Sequence, residues 1–480
     1  MLVPATMPGR SVLRLALVAA TLGALGCLWT AWCEFPFHAW NDIRLAPSFA
    51  LRHGVNPYPG AGEGPLFTWI YGPVPLLLNL PATFATSALG ALQAAWVINT
   101  LLLLLPLTVI LLGTPELRAR GPATCGLALA LATLLIPRPN LVFHVADHAA
   151  LAAGLLSCWV LARHPHPAWR RLATAAALCA LAVWSKQIAV FLLPAQLLFL
   201  ARASGRRTAA AYLGWVALGG LAGLAVFGTA FGWGNLWLNL VAIPGHLPWA
   251  EVGPRLTLRP WSLAGQLILP ALLLLGLHLR GLWPTRDTPG GSFFQLAVLA
   301  AGALTPIGLA AFLKIGGDTN VLHAWDYLLP AFLLAWLARV PAETPGAPAR
   351  VALVVVAALG LRWGDLTALP HRAWTGHLVT ARQLLAAQPG GLWFPQNPVL
   401  SFYATGRLWH SEDGIVTRYL AGHAVEGEAF RHDLPPNLAG VAYPAAVTTA
   451  STLPLLPEFT HPIRTTHWTL HVRPPPPGTR

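Results

Sequence analysis

"PVPLLLNLPATFATSALG", residues 73–90, is apolar enough to pass for a membrane span, yet it carries Pro73, Pro75 and Pro81. Each proline removes a backbone donor and breaks a helix interior. The reading of this stretch decides the fold, because counting it as a span inverts the sidedness of every loop after it. Loop charge arbitrates, since cytoplasmic loops collect Lys and Arg. With 73–90 placed in or dipping into the outer interface, the inner side holds Arg10, Arg14, Arg118, Arg120, Arg163, Arg170, Arg171, Arg202, Arg206, Arg207, Arg280, Arg286, Arg339 and Arg350. These fourteen bases face three acids, Glu116, Asp287 and Glu343, whereas the other side of residues 1–364 has eight bases and seven acids. The expected N-terminus is inside and the C-terminus outside.

Composition agrees with a membrane reading. The chain is 55% hydrophobic and only 10% charged, with a mean hydropathy of +0.58 over 480 residues, far from the roughly 25% charged norm of soluble domains. Apolar runs fall near 11–32, 91–113, 123–137, 141–162, 172–185, 187–202, 208–231, 260–280, 292–313, 321–340 and 349–364. The expected fold is therefore mostly α: a polytopic membrane protein of about eleven transmembrane helices with interfacial helices in its first outer loop, 33–90. Several runs are shorter than the ~17 residues of an upright span and require tilt or a re-entrant path.

The net charge of +13 does not indicate a nucleic-acid partner. Residues 1–364 hold 22 bases and 10 acids, against 8 and 7 in 365–480, so the excess orients helices. The first apolar segment lacks a small-x-small cleavage site and reads as a retained helix. Cys27, Cys33, Cys125, Cys158 and Cys179 lie in or beside spans without metal or disulfide spacing, which makes them packing residues.

From about 365 the texture changes. Eight of the seventeen histidines fall in the last 116 residues, the hydrophobic runs shorten, and the pattern predicts a small soluble α/β domain, 365–480. It contains a helix over 373–388, a Pro-Gly-Gly stop and strands at 392–395, 440–444 and 467–472, and ends in the extended "RPPPPGTR". Its histidines lack ligand spacing, so no metal is expected there.

Charges at membrane depth are costly and mark function or pairing. On the expected outer face stand Asp42, Arg44, Arg52 and Glu63 in the first loop, Arg138 at a hairpin tip, Asp147 and His148 early in a helix, and Lys186, Lys314, Asp318 and Asp326. Lys186 and Lys314 are the only lysines of the chain, and two compact ammonium groups near an interface suit a phosphate head group. Ordinary alternatives exist for each. Arg138 and Lys186 can snorkel; His144, Asp147 and His148 can clamp helices together; Asp326 can be the buried partner of a nearby base. In "NDIRLAPSFALRHGVNPYPG", residues 41–60, Ile43, Leu45, Ala46, Phe49 and Ala50 give helix 42–53 a face to lay on the membrane surface. Gly54 ends it, the Asn56-Pro57-Tyr58-Pro59 turn sets a tyrosine near the interface, and Asp42 falls where an N-cap would.

These stretches carry a resemblance. The first span, the early Asp, "ALRHGVNPY" and "WIYGPVPLLLNLPATF", followed by "LAVWSKQIAVFLLPAQ" at 181–196 and "FLKIGGDTNVLHAWDYLLP" at 312–330, resemble the GT-C superfamily of integral-membrane glycosyltransferases. The likeness is to its bacterial, polyprenyl-phosphate-sugar-dependent, mannosyltransferase-like branch and covers most of 1–340. It implies inverting transfer of a sugar from a polyprenyl-phosphate donor to a hydroxyl of a cell-envelope glycan, lipid or protein, at the outer face of the bacterial inner membrane. In that reading Asp42 is the general base. Lys186, Lys314 and Arg138 meet the phosphate charge that develops on the leaving group. Asp147, Asp318 and Asn320 hold sugar hydroxyls, His148 belongs to the same site, and Tyr58 or Trp69 stacks on a ring. No cofactor or metal is required. The sequence departs from the pattern in two places: Tyr71-Gly72-Pro73-Val74-Pro75 stands where some relatives place a lysine before two prolines, and Glu63 is the only candidate for a second first-loop acid. Two other classes compete, a carrier or flippase for a lipid-linked substrate and a catalytically silent scaffold of the same fold. The carrier class predicts repeat symmetry and midplane breaks, which the sequence does not display.

Overall fold

The computed structural model describes residues 7–67, 69–163, 167–258, 260–288, 290–339, 346–367, 376–387, 391–445 and 453–474. The start of the expected 373–388 helix, part of the Pro-Gly-Gly stop and the last six residues lie outside them. The chain is mostly helical with a small C-terminal sheet.

Five helices are long and apolar enough to cross a membrane: Ser11–Phe37, Ala88–Gly113, Gln187–Ser204, Arg206–Phe231 and Gly291–Phe312. The other six expected spans are also helical, but shorter or more polar, so length and composition support five crossings rather than eleven. Their outward surface suits hydrocarbon. On Arg206–Phe231 only 11% of the apolar window is buried, and Leu218, Leu221 and Val226 are exposed, a stripe that water would penalise.

The prolines of 73–90 act as expected. The stretch forms a five-residue helix, Val74–Leu78, and a 3-10 turn, Leu80–Phe84, neither long enough to span. Ser87 then accepts a hydrogen bond from Gly90 N at 3.1 Å and starts the Ala88–Gly113 helix, an N-cap worth about 1 kcal/mol. The piece is anchored by Gly72, whose N–H donates to Ser185 O at 3.2 Å. A Cβ there would lie 1.7 Å from Trp184 O, so only glycine lets this backbone reach the end of the Trp169–Ser185 helix.

At the C-terminus, β1 (Leu392–Trp393), β2 (Gly440–Pro444), β3 (His461–Arg464) and β4 (Trp468–Val472) form one sheet in the order β1-β2-β4-β3. The β1–β2 pair is parallel and the others antiparallel. The three strands read from sequence are present, β1 shorter than expected. The sequence reading missed β3, whose HPIR residues are all exposed and show no alternation.

The first loop does not lie on a membrane surface. Its helix runs Ala39–Arg52, and Asn41 to Ala50 are all buried. The helix Pro398–Thr405 covers it: Phe49 meets Phe402 and Tyr403 at 5.3 and 5.6 Å between ring centroids, His53 meets Phe402 at 4.7 Å, and Tyr403 Oη donates to Ala85 O at 2.6 Å. The amphipathic pattern was read correctly and its partner was not, because a buried apolar stripe and a lipid-facing one have the same period.

Arg418 locks the rest of the loop. Fully buried, it donates to Pro59 O at 2.5 Å, Gly60 O at 2.9 Å and Asn239 Oδ1 at 3.4 Å, and burial pushes its guanidinium down to about 10. His410 Nδ1 accepts from Leu66 N at 2.9 Å, and Ser411 N donates to Leu66 O at 3.0 Å. Arg418→Ala removes two buried hydrogen bonds from a charged donor, to Pro59 O and Gly60 O, a cost of about 1.5–3 kcal/mol. It should lower the thermal midpoint of the full chain in nanodiscs, whereas Arg407→Ala, at an exposed position, should leave it unchanged.

Candidate functional site

Three helix interruptions converge at one end of the bundle. In the first, the Pro122–Leu135 helix ends before Pro137, a short helix Arg138–Val142 follows, and a new helix starts at Asp147. The expected span 141–162 thus begins later than its hydropathy suggests, and Asp147 sits at a helix N-terminus, where the backbone dipole favours an anion. In the second, Lys186 is the extended residue that ends Trp169–Ser185, before the 3-10 turn Gln187–Phe191. In the third, Thr319–Val321 and His323 precede the Ala324–Arg339 helix, with Asp326 in its first turn.

The side chains from these breaks form one buried network. Lys186 Nζ pairs with Asp147 Oδ1, both side chains being 5% exposed. Asn320 Nδ2 donates to Asp147 Oδ2 at 2.9 Å. His323 Nε2 lies 2.9 Å from Asp147 Oδ1, and its Nδ1 lies 3.6 Å from Asp326 Oδ2. Asn140 Nδ2 donates to Asp326 Oδ1 at 3.2 Å. His323 and Tyr327 also line a small cavity of about 10 Å³ with Ala150, Leu151, Ile188, Ala189 and Leu304, room for about one water.

Two partly covered aromatic rings stand beside the network. The Tyr71 ring lies 5.4 Å from Lys186 Nζ and 5.1 Å from the Arg44 guanidinium carbon. Arg44 also covers the Trp40 ring at 4.2 Å and pairs with Asp413 of the C-terminal domain at 3.4 Å. Trp40 and Tyr71 are only partly covered, whereas the two cations against their rings, Arg44 and Lys186, are buried.

The structure thus joins Asp147, Lys186 and Asn320, with His148 buried beside Asp147 near the Asn140 backbone. The other expected residues go elsewhere. Lys314 does not pair with Lys186: its ammonium donates to Pro244 O at 2.8 Å and Gly245 O at 3.1 Å. Arg138 is taken by Glu34 at 2.6 Å and Asp365 at 3.1 Å. Asp318 caps the 3-10 turn by accepting from Thr319 N at 2.6 Å. Tyr58 is buried and donates to Tyr71 O at 2.8 Å, and Trp69 is buried and donates to Gly72 O at 2.9 Å, so neither offers a ring face. Glu63 is exposed near Arg418. His144 is the helix clamp, paired with Asn99 Nδ2 at 2.8 Å.

Asp42 departs most from expectation. It caps the Pro398–Thr405 helix rather than its own, accepting from Val399 N at 2.7 Å, and it has no exposed surface. Burial pushes its carboxyl up to about 7, against the opposing pull of the Val399 N–H, the Asn397 side chain and the Leu400 N–H.

Sequence reasoning missed His323 and Asn140. The signal for the first was available: His323 and Asp326 are one turn apart at a helix start, and so share a face. Asn140 carried none, because only the fold brings it to Asp326. Among the described residues no three His, Cys, Asp or Glu side chains are set to hold a metal ion. No known family model matches the chain, and no curated protein matches it.

A buried ion pair is least stable when broken on one side. Lys186→Met should destabilise the protein by about 3–5 kcal/mol and lower its yield. The double change Lys186→Met with Asp147→Leu should recover a large part of that loss, as read by thermal midpoints in nanodiscs.

Proposed function

We propose that this chain is a membrane glycosyltransferase that moves a sugar from a polyprenyl-phosphate donor to an acceptor hydroxyl at the outer face of a bacterial inner membrane, with inversion. The observation that carries the reading is the buried Asp147–Lys186–His323–Asp326 network with Arg44, Tyr71 and Trp40 packed beside it. Expulsion of a phosphate ester needs preorganised positive charge, which is worth far more out of water. Lys186 and Arg44 supply it. The partly covered Trp40 and Tyr71 take the ring-stacking role expected of Tyr58 and Trp69.

The acceptor hydroxyl needs a base. A carboxylate suffices, because its proton leaves as the oxygen attacks a cationic anomeric carbon. Asp147 is the carboxylate in contact with the cations, so the base passes from Asp42, held by the C-terminal domain, to Asp147. Asn320, which holds Asp147 Oδ2 at 2.9 Å, is a positioning residue. His323, between Asp147 and Asp326, is placed to receive the proton next.

A second reading draws on the same histidine. An Asp–His–Asp row at membrane depth is also how proton-coupled carriers are built, and there the substrate would cross unchanged. Purified protein in nanodiscs, given synthetic polyprenyl-phosphate mannose, glucose or arabinose and cell-envelope acceptors, separates the two. Asp147→Asn should lower turnover about 10²–10⁴-fold, the range for loss of a general base, while Asp42→Asn changes it less than tenfold. Loss with Asp42→Asn alone would return the base to Asp42. Absence of turnover with every donor, together with proton-driven uptake in liposomes, would favour the carrier.

A further inference from the structure

Asp42 is left without a role by that assignment, and its surroundings are unusual. Its Oδ1 is held by Val399 N at 2.7 Å. Its Oδ2 closes no hydrogen bond, and neither do Asn397 Oδ1 and Ser401 Oγ, all three atoms being buried in or beside the first turn of the Pro398–Thr405 helix. A carboxylate oxygen buried without a donor leaves the charged form poorly held. One proton on Asp42 Oδ2 neutralises the carboxyl at the oxygen that no donor meets.

We propose that Asp42 and the Pro398–Thr405 helix form a proton-operated latch: with Asp42 protonated, the C-terminal domain stays closed over the Ala39–Arg52 helix, and ionisation of Asp42 releases it. The sign follows from linkage. The closed state holds its proton up to about pH 7, against an ordinary value of 3.8, so it binds more protons than the open state between those limits. Closure is tightest in acid, weakens as pH rises through that window, and changes no further above it. The ratio of open to closed should rise roughly tenfold per pH unit well inside the window and about 50-fold from pH 5 to pH 7, where the slope flattens.

Other charged and titratable groups lie on the elements around this contact. Arg44 pairs with Asp413, and Arg52 lies over Phe84. His53 lies on Phe402. His410 is held by Leu66 N and Phe430 O. His246 and His423 share one ring-to-ring hydrogen bond of 3.2 Å. Their contribution is separated by comparing the native chain with Asp42→Asn, which keeps the shape of the carboxyl, is neutral at every pH and brings its own donor.

The test uses the full chain in nanodiscs, with spin labels on Thr86→Cys and Glu428→Cys. Both positions are exposed, whereas the five native cysteines are buried. Distance distributions from pH 5 to pH 9 give the open fraction. The expected result is a rise with pH in the native background and a flat, closed profile with Asp42→Asn. Tyr403→Phe, which removes the hydrogen bond to Ala85 O, should raise the open fraction at every pH and keep the slope. A flat native profile, or an equal rise with Asp42→Asn, would overturn the latch. Both readouts are independent of sugar transfer, so the latch and the transferase stand or fall separately.

Discussion

The ion pair between Lys186 and Asp147 is the contact on which the rest of this end of the molecule depends. Neither charge can be buried alone, because desolvation costs several kcal/mol per ion and is offset only by a close partner and further hydrogen bonds. Asn320 and His323 provide those, and Asp326 and Asn140 extend them. Every one of these side chains stands at or next to a helix interruption. Breaks in helices expose backbone groups that a bilayer would not tolerate in lipid, so the polar network and the broken backbone require each other's company.

The second constraint is the cover over the first loop. Helix Ala39–Arg52 carries Asn41, Asp42 and Arg44 on turns that lipid could not satisfy, and the C-terminal domain meets two of them. Val399 N reaches Asp42 and Asp413 reaches Arg44, while Asn41 turns inward to Phe35 O, Val142 O and His144 N at 2.7–2.8 Å. Arg418 threads the loop beyond, with carbonyls rather than a carboxylate as its partners. The membrane-like bundle and the small sheet domain are therefore joined through polar contacts that neither part makes by itself.

Much of this was legible in the chain. Helical segments occupy all eleven predicted apolar stretches, the prolines of 73–90 prevent a span there, and the strands at 440–444 and 467–472 lie where alternation placed them. Asp147, Lys186 and Asn320 stand together, with Asn320 holding a carboxylate where a sugar hydroxyl was expected. What failed were assignments of partner. Lys314 and Arg138 were placed in that site by residue type and expected sidedness and Asp42 by the resemblance, and each has a nearer partner, in carbonyls, acids and a helix N-terminus respectively.

The sequence by itself determined where helices start, stop and break, because proline, glycine and hydrophobic period act locally and need no distant residue. Which charge meets which was decided only by the tertiary structure, since the groups lie far apart in the chain, 357 residues in the case of Asp42 and Val399. A buried charge takes the best donor that packing brings within about 3 Å, and no local pattern encodes that distance.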